Sequence, residues 1–250
     1  MGEAKVRGTK QQRDALAIEV ASLISGEAYR LQMIEVKRRF RAASHIMKAE
    51  APVSGDIHID NECIFAQIRQ IVELIAFSGL IADRSHYQAL RIEEAKNDKS
   101  GRDKGDYTAD WNAPQILDRL RKINPDFLPQ SVGDWVLRPD LTKHVPFGDI
   151  GPKTKADLVD IFDVSNRYLH ASRPCVPDSK ARVDLKRTEA RSIIDRQLEL
   201  LRGIIWRHRK FGLLPQHSSV AVRKFVWIVD LLDPQSDEVD IVTAVQDRSP

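Results

Sequence analysis

Asn166 and His170 are four residues apart in the segment Asp163-Val-Ser-Asn-Arg-Tyr-Leu-His-Ala-Ser-Arg-Pro174, a spacing that puts both side chains on one helical face. They continue the stripe of Val159 and Phe162, so an apolar face turns polar near the helix end. A half-buried histidine in such a place suits general acid or base work, because imidazole titrates near neutrality. With RNA as substrate, His170 would act on a ribose hydroxyl, Asn166 would orient the ring, and Arg167 or Arg173 would neutralise phosphate charge. The structural alternative is a histidine favoured by the helix dipole and bonded to the open carbonyls of a last turn, with Pro174 ending the helix. Arg69 and Glu73 share an i,i+4 spacing on an earlier helix, and Glu27 lies close to the apolar stripe of the first. An acid, an arginine and a histidine from three packed helices can converge in a bundle, whereas the alternative is one surface ion pair and a solvated glutamate.

Other chemistries find less support. Gly101-Arg-Asp-Lys-Gly105 lacks the spacing of a phosphate loop, and neither a His-Glu-x-x-His motif nor a Gly-x-Ser-x-Gly elbow is present. His58, Asp60 and Cys63 lack a fourth metal ligand, and Cys63 and Cys175 give no disulfide framework. The reading is therefore of a chain without metal or small-molecule cofactor. Lys180 to Lys210, which includes Arg187 and Arg191, carries ten Lys or Arg against four Asp or Glu, and Phe225 to Pro250 carries one Arg against six acids. The basic stretch is either a phosphate-meeting surface or the solvated face of a long helix.

The elements that must position these residues follow from periodicity. Leu16, Val20, Leu23, Leu31 and Ile34 recur at helical intervals over about 12–50, with Gly26 as a bend or break. Ile64, Ile68, Ile71 and Ile75 mark a second helix over 60–83, capped by Asp60 or Asn61. Lys96 to Asn112 reads as an exposed loop or disordered insertion, and Asn112-Ala-Pro114 opens a short helix to Ile123. Residues 134–150 read as irregular or edge-strand structure. Thr154 starts a helix that ends at Ser172-Arg173-Pro174, and a long helix spans 178–211 with Gly212 as its cap. Phe225, Trp227, Val229 and Leu231, then Val239, Ile241, Thr243 and Val245, alternate around a polar turn and predict a β-hairpin.

The expected fold is thus mainly α: an antiparallel bundle of about four long helices over residues 1–212, with a short C-terminal β-hairpin over 213–250 packed on it. The 250 residues, 42% hydrophobic and 30% charged with a net charge of +3, fit a globular protein. No apolar run of the length a membrane span needs stands out, and Met1 to Lys10 is polar, so a cytoplasmic protein with no membrane partner is expected.

A helical bundle with Asn-x-x-x-His near the end of a late helix and an Arg/Glu pair on an earlier one resembles the HEPN superfamily of prokaryotic toxins, defence proteins and nucleases. The resemblance covers about Gln12 to Phe211 as topology and rests on the residues of VSNRYLHASRP. It implies a metal-independent endoribonuclease or an RNA-binding protein. Active members carry an arginine, four to six residues, then a histidine, whereas Arg167 is three positions before His170 and the positions at the right distance are Asp163, Val164 and Ser165. A helix with His-Ala-x-x-Pro before a Trp-containing hairpin also resembles uncharacterised bacterial and mobile-element proteins. The functional expectation is a non-enzymatic interaction module that joins a protein partner or a second copy of itself. RNA binding or cleavage through His170, Asn166 and Arg167 is the alternative, with Arg69, Glu73, Arg173, Arg187 and Arg191 as binding residues. Nonspecific DNA binding through Lys180 to Lys210 is a third.

Overall fold

The computed structural model describes residues 10–99, 105–133, 136–137, 143–144, 155–170, 179–213 and 224–244. Helix α1 (Lys10–Lys48) runs unbroken through Gly26, where an added side chain would meet the Trp227 ring at 3.7 Å. Tyr29, Met33, Val36, Phe40 and Ala43 form its buried stripe at alternating steps of four and three. Helix α2 (Ile57–Ala82) buries Ile64, Phe65, Ile68, Ile71, Val72 and Ile75. Its cap is Asp56, which accepts from His58 N, while the expected cap Asp60 turns back to accept from Val53 N and Ser54 N at 2.8 and 2.9 Å. By length and composition α2 is apolar enough to cross a membrane, with a mean hydropathy of 1.5 over an 18-residue stretch of it, half of which is buried. The expectation that no apolar run reaches that length is thus corrected; in the fold α2 packs against α1, α4, α5 and α6.

Helix α3 (Arg84–Asn97) follows α2 directly, a helix the sequence reading did not recognise. A 3₁₀ turn (Tyr107–Ala109) leads to α4 (Ala113–Ile123), whose cap Asn112 accepts from Gln115 N as its sequence predicts. The expected loop is therefore ordered at both ends. Asp110, 10% exposed, accepts from Tyr87 at 2.8 Å and pairs with Arg91 at 2.9 Å and Arg119 at 3.2 Å. Helix α5 (Lys155–Leu169) and helix α6 (Ser179–Ile205) complete the helical part; Thr154 lies outside the described residues.

Strands β1 (Gln130–Ser131), β4 (Arg207–Leu213), β5 (Lys224–Asp230) and β6 (Asp240–Ala244) form one antiparallel sheet in the order β1-β4-β5-β6. Strands β2 (Val136–Leu137) and β3 (Lys143–His144) pair separately. The hairpin of β5 and β6 is as the alternation predicts, but α6 stops at Ile205 rather than Phe211, and one residue, Trp206, separates it from β4. Gly212 consequently lies within β4 opposite Phe225 and caps no helix. The boundary expected at 212 falls inside this strand. Cross-strand pairing puts His208, Lys210, Gly212, Phe225, Trp227 and Val229 on one face, which packs on α1 and α2. The chain is thus mainly helical with a small four-stranded antiparallel sheet.

Candidate anion-binding site

Lys37, Arg41, His45 and Lys48 recur along the C-terminal third of α1 at steps of four, four and three, so they share a face. His45 and Lys48 belong to the last turn, where the negative end of the helix dipole favours positive charge. Arg202 on the last turn of α6 and Trp206 just beyond it have the same four-residue step, and the Arg202 guanidinium lies 4.7 Å from the Trp206 ring centroid. The Trp206 ring meets Phe40 edge-on at 6.1 Å, which fixes the ends of α1 and α6 side by side. Between them opens a cavity of about 510 Å³. Arg41, Lys48 and Arg202 supply its charge, with Lys37 and His45 beside them, Phe40 and Trp206 give its apolar surface, and among the described residues no carboxylate lines it.

The third wall is the turn between β5 and β6, through Pro234 and Gln235. Lys37 is fully buried and donates to Leu231 O at 2.5 Å and Glu238 O at 2.7 Å, holding both ends of this turn. Burial, and after it the neighbouring Arg41 charge, push the Lys37 ammonium below its ordinary pKa. Arg41 donates to Gln235 O and to Asp237. Asp237 also takes Arg38 at 2.6 Å, and the two guanidiniums lower its pKa. Leu232, at φ 53, places a non-glycine residue in the left-handed region where the turn leaves β5.

The residues expected at the α5 end are arranged differently. His170 follows α5 as an exposed residue, its N–H donating to Asn166 O at 3.1 Å. Arg167 is exposed on the last turn, and Asn166 is half-buried with its Oδ1 lacking a hydrogen-bond partner among the described residues. Arg69 donates to Glu73 at 3.0 Å and lies over Phe162 at 5.3 Å, so this pair meets α5 two turns before His170. Glu27 pairs with Arg30 on the surface at 2.6 Å. Arg187 is exposed on α6; Arg191 is half-buried there, and its charge helps to lower the pKa of Asp60, mainly set by Ser54. Arg173 lies outside the described residues. The described contacts bring Arg69, paired with Glu73, to α5 but do not join the pair to His170.

The cationic face of α1 is not among the expected site residues, which on this helix include Glu27 alone. The signal was present: basic residues at 37, 41, 45 and 48 with no acid at those steps. No protein-family model matches this chain, and neither a curated protein nor a solved structure matches it.

Proposed function

We propose that this protein is a non-enzymatic binding module whose ligand carries phosphate and docks between the ends of α1 and α6. The observation that carries the reading is the cavity lined by Arg41, Lys48 and Arg202, with Lys37 and His45 beside them, and among the described residues by no carboxylate. Guanidinium and ammonium groups match phosphate oxygens, and an aromatic wall accepts an apolar or planar portion of the same molecule. In this reading the helices form an antiparallel bundle around α2 that holds the cavity rigid. The test is calorimetric titration with inorganic tripolyphosphate and with adenosine triphosphate, in wild type and in Lys48→Gln and Arg202→Gln variants. Binding that weakens about tenfold or more in the variants and declines with added salt supports the reading. Absence of binding by folded wild type overturns it.

A second reading, RNA-directed activity at the α5 end, draws on Arg69 over Phe162 and on the unpartnered Asn166 Oδ1. Incubating RNA in EDTA with wild type and His170→Ala tests it. Cleavage lost by about 100-fold or more in a folded variant favours it, and equal cleavage by both removes His170 from the chemistry.

A further inference from the structure

Asp237 is the one carboxylate that touches a cation of the cavity wall among the described ion pairs. It stands 44% exposed on the rim and accepts from Arg38 and Arg41 at once, two guanidiniums three residues apart on α1. That is the geometry in which a phosphate would be held: one anion forked between two planar donors. The turn that delivers Asp237 is anchored separately. Lys37 fixes Leu231 and Glu238 through their backbone carbonyls, Asp233 accepts from Gln235 N at 2.9 Å, and Leu231 N donates to Trp206 O at 3.0 Å. The turn therefore keeps its frame without the Asp237 side chain.

Resting on the anion-binding reading above, we infer that Asp237 is an internal competitor for the cavity's ligand: held from outside the cavity by Arg38, its carboxylate occupies the Arg41 guanidinium of the cavity wall, and an incoming phosphate group displaces it from Arg41. Each exposed pair is weak in water, so the carboxylate is replaceable by a multiply charged anion. The contact raises the ligand concentration at which the site fills and favours ligands with two or more adjacent phosphates over single anions. The phosphate replaces the carboxylate as the counter-charge of Arg41, and Arg38 keeps Glu35 at 3.7 Å.

The test is tripolyphosphate titration of the full chain as wild type, Asp237→Asn and Asp233→Asn. The second substitution removes the same charge from the same turn without touching either arginine. Asp237→Asn is expected to bind about three- to tenfold more tightly than wild type, with Asp233→Asn close to wild type. Equal gains in both variants, or no gain in Asp237→Asn, overturn the competitor while leaving the binding site standing. If neither wild type nor Asp237→Asn binds, with both shown folded by circular dichroism, the binding reading itself falls and the competitor with it.

Discussion

The Tyr29 hydroxyl lies 2.8 Å from His208 Nε2, joining α1 to β4 across 179 residues of chain inside the core. His208 Nδ1 lies 2.7 Å from Ile205 O, so the ring is held from both sides, donating to the carbonyl and accepting from the phenol. Burial is the largest cause that brings its pKa down to about 4 from 6.5, and the neighbouring Lys210 charge adds to it.

That depression makes His208 a source of acid sensitivity. From about a pH unit above 6.5 the ring is essentially neutral in both states and contributes little pH dependence. As pH falls below 6.5 the unfolded chain takes up the proton and the folded one does not, so stability is lost until the pH passes about 4. The whole interval corresponds to about 3 kcal/mol, of which about 1 kcal/mol is lost by pH 5.5. Urea unfolding at pH 7.5 and 5.5 should show this loss in wild type and a smaller one in His208→Asn. Equal losses in the two proteins would remove His208 as the cause.

Gly212 faces Phe225 so closely that an added Cβ would come within 2.0 Å of the ring. Gly212→Ala should cost about 1–3 kcal/mol by driving the ring off the strand and away from Trp227, its neighbour at 4.6 Å. A double-mutant cycle with Phe225→Ala checks the cause, because the alanine at 212 should cost much less once the ring is gone.

The strand that holds Gly212 shows where sequence periodicity succeeds and where it fails. Ile64, Ile68, Ile71 and Ile75 declare α2 because the buried side is also the apolar side. In β4 the buried positions are His208, Lys210 and Gly212, while Phe211 looks outward, so the alternation is real but its hydrophobic sign is lost. Helix α3 was hidden for a related reason: its buried residues are Tyr87 and Arg91, a stripe one position wide with a charge in it. The β5–β6 hairpin and the Asn112 cap were legible, since their signals are local. The cavity was not, because it depends on α1, α6 and the β5–β6 turn meeting in space.

Asp110 closes the outer corner of the helical part through Tyr87, Arg91 and Arg119. Burial, and after it the adjacent Asp110, keep the Tyr87 hydroxyl protonated far above its ordinary range. Asp110→Ala leaves the nearly buried Arg91 without this counter-charge and should destabilise the fold by about 3–5 kcal/mol, read as a shift in the urea midpoint. A loss below about 1 kcal/mol would show that Glu94 and water compensate.

Lys37→Met keeps most of the buried stem and removes the donor to Leu231 and Glu238. The expected result is a loss of about 2 kcal/mol together with faster amide exchange confined to residues 231–238. Uniformly faster exchange would indicate that Lys37 supports the whole core instead.

The joining of α1 to β4 and to the turn before β6 also sets a timetable. Tyr29 meets His208 and Trp227, and Lys37 meets Leu231 and Glu238, so the stripe of α1 has its sheet partners only after some two hundred further residues exist. At about 5–20 residues per second a ribosome needs on the order of 10–40 seconds to supply them. During that interval α1 can pack on α2, with which it makes its main helical contact, while the side of it that will carry Tyr29 against the sheet stays open to chaperones and to neighbouring nascent chains.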